Sequence, residues 1–558
     1  MLILSTILII LSNAVSVRRD SSILYTRIAI FSLIYTLFLI NIYINFYIYG
    51  IALYSSLFKI NNTIILFHLF IIIITILILF ISSFKLKNKY NEINNKEIGY
   101  NLKMINTDFS SIKENSDVNK KDSENRSTIH YNIQDINKII EYPLMILFCI
   151  MGGIFLISSS DLISIFLSIE LQSYALYLIC SIYRNSENSV SAGLTYFLLG
   201  GLSSCIILLG QSLLYIQTGT TNMENIYIIK NIYESLDKEI LLNYSSIIYN
   251  LNSIQYSFII FSIGLLFKIS SAPFHFWSPD VYDAIPTIVT TFVAIIAKIS
   301  LLILLLDLVY YSSSNAQINW INNLMLSSIL SLIIGSVLGL TQYRIKRLYA
   351  YSTISHIGFL LLALSINSIE SIIAFMFYLI QYSLSNLNAF IILIAIGYSL
   401  YNYEWNDKTI SYRSLKEINY SAIQLIAQLK GYFNINPFIA ISLAITLFSF
   451  IGVPPLIGFF AKQKILMSAL DNGYIFITLI AIFTSVISAV YYLIIIKFIF
   501  FEPKVYKLYI RNTEYKTTQH IGIPSIMSLI ISLITLIILI SILLNYIIDD
   551  IIYLYVLI

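Results

Sequence analysis

Charged residues are scarce in this chain. Of its 558 residues, 11 % are charged and 58 % are hydrophobic, and the mean hydropathy is +0.82. Soluble globular domains contain about 25 % charged residues. The composition therefore excludes an ordinary water-soluble domain. The formal net charge of +4 is too small for a chain of this length to indicate binding to nucleic acid.

Cysteine is also rare. Cys149, Cys180 and Cys205 all lie in apolar segments, and their spacing matches no metal-binding motif. We interpret them as small buried hydrophobic residues. The sequence contains no glycine-rich phosphate-binding loop and no pair of histidines suited to haem. We predict that the chain itself binds no nucleotide, flavin or redox metal.

Long apolar segments recur along nearly the whole sequence. Their length of about 20 residues is what a helix needs to cross a hydrocarbon layer of about 30 Å. We predict an all-α polytopic membrane protein with about 14 transmembrane helices. The first segment is followed by Arg18 and Arg19, whereas a secretory signal carries its positive charge before the apolar run. The predicted spans are 1–17, 23–45, 63–84, 140–158, 160–182, 190–217, 254–279, 286–311, 318–341, 346–366, 369–400, 436–464, 472–501 and 521–547.

Polar segments connect some of these spans. The longest, residues 85–139, is rich in Asn, Lys, Ser, Asp and Glu and is predicted to be a solvated or disordered loop, with packing against a partner chain as the alternative. Shorter polar stretches cover 219–253 and 401–435. Basic residues concentrate in loops after odd-numbered spans, so the positive-inside rule places those loops on the cytoplasm-like side and both termini on the other. They are Arg18, Arg19, Lys85, Lys87, Lys89, Arg184, Arg344, Lys346, Arg347, Lys504, Lys507 and Arg511.

Four charged residues lie well inside predicted spans: Glu170, Lys268, Lys298 and Lys462. A charge at the centre of a membrane helix costs about 3 kcal/mol or more, and it usually faces protein, water or a partner charge. Snorkelling toward the headgroups explains a single lysine of this kind. Four such charges in four different spans favour a row of sites that hold or pass a proton.

Prolines lie close to two of these lysines. Pro273 follows Lys268 by five residues, and Pro454 and Pro455 precede Lys462. Proline removes a backbone donor and interrupts a helix. Within a membrane, such a break persists where protein or water satisfies the freed backbone groups. An ordinary proline kink explains either break alone.

The two interrupted helices together indicate internal symmetry. Broken helices in corresponding halves of a chain are typical of transporters built from inverted repeats. We therefore predict two inverted repeats, each containing one Pro-interrupted helix. The predicted segments are three N-terminal helices in 1–84, the insertion at 85–139, a first repeat at 140–311, a second repeat at 318–501 and a C-terminal helix at 521–547.

Histidine gives weaker signals. His275 follows the first break, and His356 lies inside the tenth predicted span. Histidine changes protonation near neutral pH, so either residue is a candidate relay. A histidine hydrogen-bonded to a neighbouring hydroxyl accounts for each equally well, although the position of His356 within the second repeat favours it. His68 is interpreted as structural or interfacial.

Four motifs in this order carry a family resemblance: "IELQSYALYLI", "KISSAPFHFWSPDVYDAIPT", "RLYAYSTISHIGF" and "GVPPLIGFFAK". Together they resemble the antiporter-like subunits of respiratory complex I, a family shared with multisubunit cation/proton antiporters. The resemblance covers residues 140–500. Lys462 and the segment "YSLSNLNAF" resemble the N-type branch of this family. The subunit 4 type carries glutamate at the position of Lys462. The opening segment resembles fungal mitochondrial members, and the insertion at 85–139 departs from the family.

The resemblance implies roles for the buried charges. Glu170 and Lys268 would form a coupled acid–base pair, Lys298 a central relay and Lys462 an outlet. It also implies proton translocation across the mitochondrial inner membrane, coupled to NADH oxidation and ubiquinone reduction by the whole complex. NADH, FMN, iron–sulfur clusters and ubiquinone would belong to that complex. The implied partners are neighbouring antiporter-like and small membrane-arm subunits, and lipids such as cardiolipin.

Two alternatives remain open from the sequence. The first is a subunit of a multisubunit Na⁺(K⁺)/H⁺ antiporter without any redox partner, because the same buried charges would serve both activities. The second is a structural spacer subunit with no proton path of its own. Four central charges argue against the spacer.

Overall fold

Helices make up most of the chain in the computed structural model, which describes residues 1–15, 22–43, 50–82, 141–183, 186–235, 245–312, 319–400, 403–405, 423–503, 506–508 and 523–557. The predicted insertion at 85–139 and many of the basic loop residues, among them Arg18, Arg19 and Arg184, lie outside these ranges. The helices are α1 Leu2–Val15, α2 Ser22–Tyr43, α3 Asn62–Ser82, α4 Glu141–Ser158, α5 Leu162–Cys180, α6 Glu187–Thr218, α7 Met223–Ser235, α8 Ser245–Ile269, α9 Trp277–Ala284, α10 Thr287–Ser312, α11 Asn319–Leu340, α12 Ile345–Ile366, α13 Ile369–Ser399, α14 Pro437–Ile451, α15 Ile457–Asp471, α16 Ile475–Phe500 and α17 Ser525–Leu557.

Two short antiparallel ribbons accompany the helices. Strand β1 (Ile51–Leu53) pairs with β2 (Phe58–Ile60), and β3 (Tyr403–Trp405) pairs with β4 (Tyr506–Leu508). The stretches predicted as polar loops at 219–253 and 401–435 are more structured than expected. The first contains α7 and the start of α8, and the second ends in 3₁₀ turns at Ile426–Leu429 and Tyr432–Asn434. Buried apolar side chains, such as Met223, Ile226 and Leu429, hold these segments against the bundle.

The prediction of an all-α membrane protein is confirmed. Ten of the described helices are long and apolar enough to cross a membrane. The other four predicted spans coincide with shorter apolar helices, so the count of 14 stays a prediction. These shorter helices are Leu2–Ser12, Ser253–Ile269, Pro437–Ile451 and Ser525–Ser541.

Both predicted helix breaks are present. Helix α8 ends at Ile269, and Ser270 adopts the left-handed conformation (φ +67°). The indole Nε1 of Trp277 then donates to the carbonyl oxygen of Phe267 at 3.0 Å, which satisfies a group that the break leaves free. The Ala272–Pro273 peptide bond in this break is cis.

The second break likewise begins where a helix ends at a residue in the left-handed conformation, here a glycine. Helix α14 ends at Ile451 and is capped by Gly452, whose φ of +87° favours glycine. Its N–H donates to the carbonyl oxygen of Phe448 at 3.0 Å. The next residues include the cis Pro454–Pro455 peptide bond, and α15 begins at Ile457. Proline cannot continue the helical ladder, so the chain restarts as a separate helix.

The helix packing has matching halves. Helix α4 packs on α5, as α11 packs on α12. Helix α6 packs against both parts of the first broken helix, α8 and α9, and α13 packs against both parts of the second, α14 and α15. The N-terminal helix α3 contacts α4, α10 and α17. This pattern is the one expected of two repeats, whose exact boundaries stay a prediction.

A charged cluster joins the two halves where α9 meets the start of α12. Asp283 on α9 forms ion pairs with Arg344 and Arg347, and its carboxylate side chain is only 6 % exposed. Lys346 donates from Nζ to the carbonyl oxygen of Ile285 at 2.5 Å. From the sequence, these three basic residues were counted as loop charges at the start of the tenth predicted span. That assignment was wrong for Lys346, which is buried because α9 caps the beginning of α12.

We expect Asp283→Asn to destabilise the subunit by about 2 kcal/mol, because the neutral amide removes the buried negative charge with which both guanidinium groups pair. Asp280→Asn is the matched control on the same helix, since the Asp280 side chain is 72 % exposed where it pairs with Arg347. The control is expected to cost less than about 0.5 kcal/mol. Thermal unfolding of the purified complex measures both. Equal effects would contradict a bridging role for Asp283.

Candidate functional site

Glu170 and Lys268 form an ion pair inside the helix bundle. Glu170 lies in the middle of α5, and Lys268 is the second-last residue of α8, directly before the break. Lys268 Nζ lies 3.2 Å from Glu170 Oε1, and the two side chains are 7 % and 15 % exposed. The pair is therefore largely removed from lipid and from bulk water. Neutralising one partner would leave the other as an unpaired charge in a medium that solvates it poorly.

A small cavity of about 20 Å³ lies beside this pair. Lys268 lines it together with polar side chains of α5 and α6, namely Gln172, Ser173, Tyr177 and Ser203. About 10 to 15 Å³ is enough for one water molecule when two or more polar groups face it. The pair thus has room and partners for a hydrating water. Gln172 also accepts a hydrogen bond from Ser300 Oγ at 3.0 Å, which connects α5 to α10.

Lys298 lies at the centre of α10 and is 1 % exposed. Its Nζ donates to Thr353 Oγ1 on α12 at 3.2 Å and lies 5.4 Å from the centroid of the Tyr282 ring. No carboxylate pairs with Lys298 within the part of the chain that the structure describes. The lysine therefore links the first half of the bundle to the second through the Thr353 hydroxyl, and an aromatic ring of the first half covers its ammonium group.

His356 lies three residues after Thr353, so both side chains lie on the same face of α12. Its Nδ1 is 2.7 Å from the hydroxyl of Tyr378 on α13, and its Nε2 is 3.5 Å from the hydroxyl of Tyr492 on α16. The ring centroid lies 5.2 Å from that of Phe450 on α14. His356 and its contacts thus come from four helices.

Lys462 uses the carbonyl groups that the second break leaves free. Its Nζ donates to the carbonyl oxygens of Phe450 at 2.8 Å and Ile451 at 2.9 Å, at the end of α14. Carbonyls at a helix C-terminus lack intrahelical donors and attract cations. The Phe359 ring lies on another side of the ammonium group, with its centroid 5.4 Å away. The carbonyl groups that the interruption leaves free therefore bind the ammonium group of Lys462.

All four predicted charges face the protein interior. Glu170 contacts Lys268, and Lys298 reaches the α12 face that carries His356. The His356 ring packs on Phe450, whose carbonyl oxygen accepts from Lys462. His275 is buried in the first break, its Nδ1 has no hydrogen-bond partner among the described residues, and it joins none of these contacts.

Sequence reasoning missed several polar members of the site: Gln172, Thr353, Tyr378 and Tyr492. The chain contains 43 tyrosines, so no single one stands out from the sequence. A hydroxyl or an amide in a membrane helix is also much less costly than a charge, and its position carries less information. The only usable signal was the proximity of Gln172 to Glu170 and of Thr353 to His356 along their helices.

Two further predictions concern residues outside this network. His68 Nε2 lies 3.1 Å from the carbonyl oxygen of Ile154, a contact between α3 and α4 that fits a structural residue. Cys149 and Cys180 are buried, but Cys205 is exposed on the outer face of α6, so the interpretation of all three cysteines as buried was wrong. The described residues contain no group of three or more His, Cys, Asp or Glu side chains placed to hold a metal ion.

Comparison with known proteins places this arrangement in a family. Residues 159–488 match the family described as "NADH:quinone oxidoreductase/Mrp antiporter, TM". NADH-ubiquinone oxidoreductase chain 2 of Rhizopus oryzae is 43 % identical, over 90 % of this chain and 86 % of that protein. NADH-quinone oxidoreductase subunit N of Rhodospirillum rubrum is 34 % identical, over 65 % of this chain and 67 % of that protein.

A solved structure shares the fold. A chain of respiratory complex I from Thermus thermophilus superposes with a TM-score of 0.68 and 21 % identity, covering 98 % of this chain and 97 % of that one. The family match covers more than half of the chain, and the Rhizopus relative covers nine tenths of it. The chain therefore belongs to the NADH:quinone oxidoreductase/Mrp antiporter family and, within it, to the chain 2 or N type of antiporter-like membrane subunits of respiratory complex I.

Proposed function

We propose that this chain moves protons across the membrane within complex I, by way of Glu170, Lys268, Lys298, His356 and Lys462. The observation that carries the proposal is the Glu170–Lys268 ion pair, held at 3.2 Å inside the bundle next to a helix break. Membership of the antiporter-like family supports it. The redox reaction that supplies the energy takes place in other subunits, which carry FMN and the iron–sulfur clusters and act on NADH and ubiquinone.

The ion pair would act as the gate. While Glu170 faces Lys268, its carboxylate stabilises the ammonium group. When the carboxylate turns away, the ammonium group loses this stabilisation and gives its proton to water in the neighbouring cavity. Moving one charge across 100 mV costs about 2.3 kcal/mol. Separating a buried pair changes the free energy by about 3 kcal/mol or more, which is enough to drive one such step.

The remaining groups would carry the proton onward. Lys298 accepts it in the centre of the bundle, and its Thr353 contact leads to the α12 face with His356. Lys462 receives it on the C-terminal carbonyls of α14. Each of these groups is buried inside the helix bundle, so the proton stays separated from lipid.

The same family membership supports a proposal for the surroundings of the chain. Its partners are other complex I subunits, and we propose that neighbouring antiporter-like and small membrane-arm subunits and cardiolipin contact it. The basic residues after odd-numbered spans support a mitochondrial inner-membrane orientation with both termini on the intermembrane-space side. Residues 140–311 and 318–501 would act as the two repeats.

Glu170→Gln tests the proposal. In the assembled complex in sealed vesicles, we expect NADH-driven proton pumping to fall about tenfold, because the neutral amide no longer stabilises the Lys268 ammonium. A pH-sensitive dye inside the vesicles reports pumping. Glu370→Gln, at the exposed start of α13, is the control and should pump normally. Normal pumping by Glu170→Gln would refute the gate and favour a structural spacer.

The family also includes antiporter subunits, so cation exchange is the second candidate. The same vesicles distinguish the two activities. Without NADH, a Na⁺ or K⁺ gradient should leave the internal pH unchanged if the chain works only within the redox-driven complex. A pH change that follows the cation gradient and disappears in Glu170→Gln would instead support Na⁺(K⁺)/H⁺ antiport.

A further inference from the structure

Two tyrosine hydroxyls flank the ring of His356. We propose that Tyr378, together with Tyr492, is a positioning residue that holds this ring and determines which of its nitrogens carries the proton. The inference rests on the proposed function and deepens it, because it assigns a role to hydroxyl groups that carry no charge themselves.

The geometry singles out Tyr378. Its hydroxyl lies 2.7 Å from His356 Nδ1, whereas the Tyr492 hydroxyl lies 3.5 Å from Nε2. The three side chains come from α13, α12 and α16, and all three are at most 3 % exposed. One hydroxyl therefore faces each ring nitrogen from opposite sides. The tyrosine hydroxyls take the positions in which water molecules would contact the ring nitrogens of a more hydrated histidine.

The two hydrogen bonds that join Tyr378, His356 and Tyr492 can run in either of two directions. A neutral imidazole has one N–H donor and one nitrogen acceptor, and a tyrosine hydroxyl can either donate or accept. In one direction Tyr378 donates to Nδ1, and Nε2–H donates to Tyr492. In the other direction both hydrogen bonds are reversed. When Nδ1 takes up the translocated proton and Nε2 releases its own, the ring passes from the first arrangement to the second, while each tyrosine keeps its own proton and only reverses its hydrogen bond.

Without the Tyr378 hydroxyl, Nδ1 would lose its partner in the described structure, and the neutral ring could settle with either nitrogen protonated.

The same tyrosines tie the ring to the surroundings of Lys462. The Tyr378 ring stacks on Phe359 with centroids 5.8 Å apart, and the Tyr492 ring stacks on Phe450 at 5.5 Å. Phe359 faces the Lys462 ammonium group, and the Phe450 carbonyl oxygen accepts from it. The two tyrosines thus hold His356 against the groups that bind Lys462.

Tyr378→Phe removes one oxygen atom and keeps the stacked ring. We expect NADH-driven proton pumping by the assembled complex to fall three- to tenfold, the range that corresponds to loss of one hydrogen bond. We also expect the solvent deuterium isotope effect on pumping to rise, because proton transfer at His356 becomes slower than other steps. Tyr492→Phe, which removes the other hydroxyl, should change both quantities in the same direction.

Tyr349→Phe is the matched control. Tyr349 lies on the same helix as His356 and is equally buried, and its hydroxyl has no hydrogen-bond partner among the described residues. It should alter neither pumping nor the isotope effect. The inference is overturned if Tyr378→Phe behaves like this control, or if pumping falls with an unchanged isotope effect, which would indicate packing alone.

The outcome separates this inference from the proposed function. Loss of pumping in Glu170→Gln combined with normal behaviour of Tyr378→Phe and Tyr492→Phe refutes only the role of the tyrosines. Normal pumping in Glu170→Gln refutes the proposed function itself.

Discussion

Lys268→Met is expected to reduce proton pumping to background. Methionine fills a similar volume with an unbranched, flexible side chain, so the helices around the first break should keep their packing. The substitution removes the only cation that pairs with Glu170 in the described structure, and leaves the carboxylate with a 3.5 Å contact to Ser173 Oγ. With no ammonium group beside the break, the gate has no proton to release.

Simultaneous recording of NADH oxidation and internal pH in vesicles measures this effect. Lys497→Met is the control, because Lys497 lies exposed in the last turn of α16. The double variant Lys268→Met with Glu170→Gln removes the unpaired carboxylate as well, and it should regain thermal stability without regaining pumping. Wild-type pumping by Lys268→Met, or an equal loss in Lys497→Met, would contradict the assignment.

Gly458→Ala is expected to have the largest effect on stability. Gly458 lies in the first turn of α15, and a Cβ atom there would overlap with the backbone carbonyl oxygen of Ser449 on α14. A backbone atom cannot move aside as the end of a flexible side chain can. We expect a cost of about 3 kcal/mol or more, because α14 and α15 must separate at the turn that holds Lys462.

The control for this variant is Gly201→Ala on α6, where no atom lies within 4 Å of the added Cβ. In a helix interior, alanine is favoured over glycine by about 1 kcal/mol, so the control should be neutral or slightly stabilising. The amount of assembled complex and its thermal unfolding midpoint measure both variants. Similar midpoints would show that α14 and α15 approach each other less closely than described.

Hydropathy predicted the helices well where one helix equals one apolar segment. The span predicted at 286–311 is α10, Thr287–Ser312, and the span predicted at 346–366 is α12, Ile345–Ile366. Hydropathy failed where a helix and its apolar segment differ. The span predicted at 254–279 is divided between α8, which begins at Ser245 in a polar stretch, and α9. Backbone hydrogen bonds extend a helix beyond its apolar residues, so hydropathy does not mark its start.

The candidate site was also predicted only in part from the sequence. The buried charges were visible in the sequence because few side chains are as costly in a membrane, and the breaks were visible because proline cannot donate a backbone hydrogen bond. Lys346 was not recognised as buried, since it lies at a helix start beside two arginines in sequence. Only the packing of α9 against α12 covers it.

The sequence by itself determined that this is a helical membrane protein and where its apolar helices lie. It also determined where two of these helices break and which four charges lie well inside them. These features depend on local properties, namely the transfer of a side chain into hydrocarbon and the missing N–H of proline. Only the tertiary structure decided the partners. Lys268 meets Glu170 across 98 residues, Lys298 meets Thr353 across 55, and His356 meets Tyr378 across 22. Such contacts depend on which helix faces pack together, and that choice is made by the whole bundle at once.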